Sequence, residues 1–226
     1  MIGHRGAAAV APENTLGSLA AAVAAGVDLV EFDVGVGLLL GHTASDTPAD
    51  AASLDDALAL LRAHSAGAHV DVKHVGIEEE VVKALARHGM TEFALVSSAA
   101  PRTLRRFARI APELSRALGY PNDRFGVARV RWPRPVVASS AAALRAVMPL
   151  RVPLLLRIAR ANVLALHCAL VSPAVVRTAH RLGAPVLAWT ANDPGLVERL
   201  VHDGVDGIIS DNPEMVFRTL DTLAVG

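Results

Sequence analysis

Short apolar runs of β type alternate with longer Ala/Leu-rich stretches of helical period from one end of the chain to the other. This alternation predicts repeated βα units around a parallel sheet. The predicted strands cover residues 1–4, 29–34, 38–42, 68–74, 93–97, 113–117, 162–167, 185–189 and 207–209. The predicted helices cover 15–25, 53–64, 77–88, 101–110, 141–159 in one or two pieces, 173–182, 194–202 and 213–223. With about eight βα units, a closed (β/α)8 barrel is the economical architecture.

Punctuation supports the helix limits. Ser53 precedes Asp56 by three residues, the spacing of a capping box, and Ser172-Pro173 and Asn212-Pro213 put a capping side chain before a first-turn proline. Gly89 and Gly183 close helices with the residue that tolerates a left-handed conformation. The Pro- and Arg-rich stretch 121–137 reads as irregular.

Composition narrows the class. A chain of 226 residues that is 52% hydrophobic can bury a large core as one domain, 1–226. Lys plus Arg and Asp plus Glu are each 22, so no global field favours nucleic acid or an anionic membrane, and anion binding has to be local. A lone Cys168 excludes an internal disulfide framework. No secretory pattern precedes Gly3-His4-Arg5-Gly6, and Arg and Pro interrupt the apolar runs before they reach the roughly 20 residues of a span. The expectation is a cytoplasmic protein without stable membrane insertion.

The chemistry collects where barrel strands end. His4 and Arg5 end the first predicted strand, and Glu31 and Asp33 end the second. Asp71 and Lys73 repeat the i, i+2 spacing that puts side chains on one face. Three carboxylates at one rim raise one another's pKa unless a cation neutralises them. Oxygen-only ligation, with no Cys cluster or zinc-type His pair, suits Mg2+ or Ca2+. The alternative is that these carboxylates are structural ion-pair partners of Arg5 and Lys73.

Six short motifs occur in order: His4-Arg5-Gly6, Pro12-Glu13-Asn14-Thr15, Glu31-Phe32-Asp33, Val70-Asp71-Val72-Lys73, Trp189-Thr190-Ala191-Asn192, and 206–213 with its Ser210-Asp211-Asn212-Pro213 end. Together they resemble the glycerophosphodiester phosphodiesterase family. The resemblance implies a TIM barrel of the phospholipase-C-like phosphodiesterase type and metal-dependent hydrolysis of a glycerophosphodiester to sn-glycerol 3-phosphate and an alcohol. It matches Glu31 and Asp33 to metal ligands, and Asp71 to a third that is usually Glu. His4 and His42 correspond to the two catalytic imidazoles, Arg5 and Lys73 to phosphate-holding groups, and Trp189 to an aromatic wall beside the glycerol. It further implies attack by the neighbouring glycerol hydroxyl and a cyclic phosphate that water opens.

Two departures stand out. Val34-Gly35-Val36-Gly37 and His42-Thr43 replace the family's usual turn and His-Asp pair, and only residues 43–52 separate His42 from the next predicted helix. Asp71 is also one methylene shorter than Glu. A lysophospholipase D-like activity and a catalytically weakened phosphodiester-binding barrel are the competing expectations. The helix-end histidines His64, His88, His180 and His202 read as structural or solvated, while His69, His74 and His167 lie nearer the rim. Arg102, Arg105, Arg106 and Arg109 read as a solvated helix face, with a lipid-headgroup role as the alternative. Glu13, Asn14, Asn192 and Asp211 read as supporting packing, loop and cap residues.

Overall fold

In a computed structural model the chain closes into a barrel of eight parallel strands in sequence order, each hydrogen-bonded to the next and β8 to β1. The structure describes all residues except Ala44, Asp46, Ala49, 123–133 and Gly226, and no side chain over 134–139 or at Val225. The strands are β1 (Ile2–Gly3), β2 (Leu29–Val34), β3 (Gly67–Val72), β4 (Ala94–Ser98), β5 (Ser115–Tyr120), β6 (Val163–His167), β7 (Val186–Trp189) and β8 (Gly207–Ser210). The helices are α1 (Leu16–Ala24), α2 (Leu54–Ala63), α3 (Glu78–Arg87), α4 (Pro101–Ile110), α5 (Arg134–Ala159), α6 (Pro173–Arg181), α7 (Pro194–Asp203) and α8 (Pro213–Val225). This is the TIM (β/α)8 architecture.

Strand alternation divides the burial into two layers. Val30, Phe32 and Val34 of β2 and Val70 and Val72 of β3 face outward and pack with Leu19, Leu58, Leu61 and Leu85 of the first helices. A second cluster does the same for the other half, where Leu164, Val186 and Ile208 meet Met148, Val152, Val175 and Leu200. Ile2, Leu95, Ala117, Val163, Ala165, Leu187 and Ile209 fill the barrel itself. The inward positions above that plug are free to be polar, and the charged residues stand there.

The expected caps form. Ser53 and Asp56 make a reciprocal capping box on α2, and Ser172 accepts the Val175 N–H. Asn212 accepts from Met215, and Gly89 and Gly183 take φ of 62° and 72°. The strand expected over 38–42 is not a barrel strand. Gly37 and Leu38 both take positive φ, which reverses the chain, and Leu39 and Leu40 then make only isolated antiparallel bridges, to Ser53 and Val34. Residues 134–137, expected to be irregular, belong to α5. The rest of that expectation, apart from Pro121 and Asn122, falls outside the described residues.

Candidate active site at the barrel mouth

The loop after β1 is held by three backbone N–H groups that donate to the neighbouring strands β8 and β2. The His4 N–H donates to Ser210 O at 2.8 Å, the Arg5 N–H to Glu31 Oε2 at 2.7 Å and the Gly6 N–H to Glu31 O at 2.9 Å. Arg5 and Gly6 both take positive φ. A Cβ on Gly6 would stand 2.4 Å from the Ser18 carbonyl carbon, so glycine alone fits where this loop crosses α1.

Register brings the carboxylates together. Asp33 pairs with Asp71 and Glu31 with His69 along the β2–β3 ladder, all on the inward face. Glu31, Asp33 and Asp71 each offer an oxygen such that the three lie within 4.8 Å of one another. Asp33 is 1% exposed and is braced by Asn14, whose amide donates to Oδ2 at 3.1 Å while its carbonyl accepts the Asp33 N–H at 2.9 Å. The other oxygen, Oδ1, lies 2.9 Å from Lys73 Nζ but makes no well-directed hydrogen bond. Lys73 also touches Asp71 Oδ2 and so bridges two of the three carboxylates.

The electrostatics are those of a site built for positive charge. Burial, reinforced by the Asp33 charge, raises Glu31 to about 7. Burial pushes Asp33 up too, but the His42 hydrogen bond and the Lys73 and Arg5 charges outweigh it and hold this carboxyl well below the usual range. Burial disfavours the Lys73 ammonium, yet Asp71, Asp33 and Glu31 raise its pKa above the ordinary value. Three oxygen donors, one without a directed partner and one kept partly protonated by burial and the neighbouring Asp33 charge, fit a hard divalent cation.

His42 reaches the same group. After the reversal at Gly37 and Leu38, Leu40 is buried and its N–H donates to Ala52 O at 2.8 Å, and the Gly41 N–H returns to Asp33 O at 3.0 Å. His42 Nδ1 is thereby 3.1 Å from Asp33 Oδ2 and 3.3 Å from Arg5 Nη2. One ring nitrogen cannot donate to a carboxylate and accept from a guanidinium at once. Donation to the buried Asp33 charge wins, and Arg5 is a neighbour rather than a donor. Arg5 itself is held by Glu13 at 2.7 Å and by Asp33 at 3.1 Å.

The two remaining polar chains were not legible as partners in the sequence. His4 Nδ1 lies 2.6 Å from Asp211 Oδ1, with Nε2 4.0 Å from Glu31. Asn192 fixes Asp211 by donating to its Oδ2 and accepting its backbone N–H at 3.0 Å. Burial works against the imidazolium of His4, but the Asp211 hydrogen bond and the Glu31 charge prevail and raise its pKa. On the other side, buried His69 is pushed down to about 4 by desolvation and stays neutral. Its Nε2–H donates to Ser97 Oγ at 2.9 Å, and the Ser97 hydroxyl donates to Asp71 Oδ1 at 2.8 Å. The only sequence signal for Asp211 was its place in the last of the six motifs; nothing singled out Ser97.

A cleft of about 590 Å³ opens over these groups, lined by His4, Arg5, Glu31, His42, Asp71 and Lys73, with Asp33 below them. Its far wall is formed by Gly119, Pro121, Ala165, Trp189 and Ile209. Trp189 meets His167 edge to face, with centroids 5.2 Å apart. All eight sequence-predicted residues are therefore at one mouth. His88 and His180 lie away from it and pair with Asp55 and Asp206.

A parallel eight-stranded barrel with imidazoles, carboxylates and cations gathered at the C-terminal ends of its strands is an enzyme-type TIM barrel. The chain belongs to the glycerophosphoryl diester phosphodiesterase family, which matches residues 4–36 and 69–215. It is 24% identical over 256 residues to YhdW of Bacillus subtilis (strain 168), with 96% of each chain covered. Among solved structures it is similar to an Oleispira antarctica phosphodiesterase in complex with the product sn-glycerol-3-phosphate, at TM-score 0.75 and 22% identity over 97% of this chain and 96% of the other. A glycerophosphodiester phosphodiesterase from Parabacteroides distasonis ATCC 8503 gives TM-score 0.75 and 18% identity, with 99% and 97% covered. The family match omits residues 37–68, the stretch that holds His42.

Proposed function

We propose that the protein hydrolyses glycerophosphodiesters to sn-glycerol 3-phosphate and an alcohol, with Mg2+ or Ca2+ on Glu31, Asp33 and Asp71 and with His4 and His42 as the acid–base pair. The observation that carries this reading is the placement of the imidazoles. Each presents Nδ1 to a carboxylate, Asp211 for His4 and Asp33 for His42, which leaves Nε2 to take or give a proton. They stand at the two ends of the Glu31–Asp33 pair, so one can serve the attacking hydroxyl while the other serves the leaving oxygen.

The cation, when bound, neutralises the carboxylates and polarises a phosphoryl oxygen. Lys73 and Arg5 present cationic donors from the same side, where they can hold the anionic phosphate. Trp189, on the far wall, offers an apolar face to the glycerol carbons. The product in the Oleispira relative supports this substrate class. The arginine-punctuated 145–160 stretch lines no part of the cleft, so the site gives a lysophospholipid reading no particular support. His42 within reach of the carboxylates likewise speaks against a weakened barrel.

The test is release of glycerol 3-phosphate from glycerophosphocholine by purified protein supplied with Mg2+ or Ca2+. The reading predicts turnover that EDTA abolishes and that either cation restores. Turnover indifferent to EDTA would remove the metal from the account, and no turnover with any divalent cation or head group would remove the enzyme.

A further inference from the structure

The outer wall of the barrel carries a second surface, on α5, that the mouth chemistry does not use. Met148, Val152, Leu156 and Ala159 seat this helix on the barrel. The opposite face exposes Val147, Leu150, Leu154 and Ile158, with Leu150 at 83% and Leu154 at 60%. At about 100° per residue these four fall in one stripe about 80° wide, with Arg151 and Arg157 on its two edges. Among the described residues, the other exposed large apolar side chains are scattered singly along the chain.

Positive charge extends from this stripe onto α4. Arg105 Nη1 donates to Ile158 O at 3.0 Å and ties the two helices together. Arg102, Arg105, Arg109 and Arg160 line an adjoining groove of about 600 Å³ whose far wall is Glu78–Glu80; there Glu79 is already taken by Arg106. Among the described residues, Arg102, Arg105, Arg109, Arg151, Arg157 and Arg160 have no carboxylate partner. The chain is neutral overall, so this is a local concentration of charge.

We infer that the α4–α5 face docks the protein peripherally on an anionic phospholipid surface. Aliphatic side chains along the middle of a helix suit the acyl boundary, and guanidinium groups at its edges suit lipid phosphates. A nucleic acid would leave the Leu150–Leu154 stripe in water. A second copy of the chain packed stripe to stripe would set Arg151 and Arg157 against their like, and the nearest carboxylates, Glu78–Glu80, lie across the groove from the stripe rather than along it. No helix of the described residues is long and apolar enough to cross a membrane, so the contact is superficial. In the TIM architecture α5 belongs to the outer ring, and the mouth remains open.

The experiment is co-sedimentation of the whole chain with vesicles of phosphatidylcholine alone or mixed with phosphatidylglycerol, at low and high salt. The inference predicts sedimentation with the mixed vesicles at low salt, release as salt rises, and no sedimentation with phosphatidylcholine alone. Leu150→Glu with Leu154→Glu, and separately Arg151→Glu with Arg157→Glu, should each weaken binding by about tenfold or more. Both pairs are exposed, and an unchanged melting temperature confirms that each variant folds. Equal binding to both vesicle types, failure of the parent protein to bind the anionic ones, or variants that bind like the parent would overturn the inference. So would a dimer in gel filtration that Leu150→Glu with Leu154→Glu dissolves.

Discussion

The two halves of the barrel mouth differ in kind. Strands β1 to β4 end in His4, Glu31, Asp33, Asp71 and Ser97, and Arg5, His42 and Lys73 stand just beyond them. Among the described residues, the ends of β5 to β8 offer Gly119, Ala165, Trp189 and Ile209 to the same cleft, with no charge among them. Among the described residues, Asp211, reaching back to His4 from the end of β8, is the one carboxylate that crosses the divide. The contrast orients a substrate before any is seen. On the proposed function, a phosphoryl group lies over the charged half and the uncharged part of the molecule over the other.

Substitutions should follow that divide, with losses in kcat on the charged half and in KM on the bare half. The largest loss is expected for His4→Ala, roughly 10²- to 10⁴-fold in kcat, if this imidazole carries a proton in the transition state. Retention of parental kcat would take His4 out of the chemistry. Asp211→Ala removes the group that aims His4 and is expected to cost roughly 10- to 100-fold, in kcat rather than KM. A loss confined to thermal stability would make Asp211 a structural residue instead.

Metal affinity should report the crowded carboxylates. Glu31, raised to about 7, is protonated below that pH and has to lose its proton before it can ligate. Affinity for Mg2+ or Ca2+, measured by calorimetry, should therefore fall about tenfold per pH unit below 7 and level off above it. A flat profile between pH 5 and 7 would mean that Glu31 does not bind as the anion. The smallest effect is expected on the bare half. Trp189→Ala should raise KM about threefold to tenfold, as for one lost stacking contact, with kcat nearly unchanged. A large fall in kcat would make Trp189 part of the reacting constellation and blur the divide.

Much of this was legible along the chain. β2 and α4 occur with the limits that their residues predict, because a buried β-type run between Asp28 and Gly35 and a proline-led amphipathic stretch each admit one local solution. The i, i+2 spacing of Glu31 and Asp33 correctly placed both inside the barrel. β5 was less legible: Ser115–Tyr120 holds Ser, Arg and Gly, and the strand is set by its ladders to β4 and β6 more than by its own pattern. The braces were out of reach of local reasoning. Asp211 lies 207 residues from His4, and Ser97 lies 26 from Asp71. Such contacts exist only after the barrel closes.

Segment 35–42 shows the limit most sharply. Leu38-Leu39-Leu40 reads as a strand, but two successive positive φ angles fold it back on β2. The short path delivers His42 because Gly41 returns to the Asp33 carbonyl. The catalytic role proposed for His42 rests on that delivery, since the family match does not extend over this stretch.

The most direct test of the two-imidazole site is the rate of glycerol 3-phosphate release from glycerophosphocholine by His42→Ala, with saturating divalent cation and an unchanged melting temperature. The account predicts a loss in kcat of at least about 100-fold, comparable to that of His4→Ala. A rate within about threefold of the parent, where His4→Ala is inactive, would contradict it.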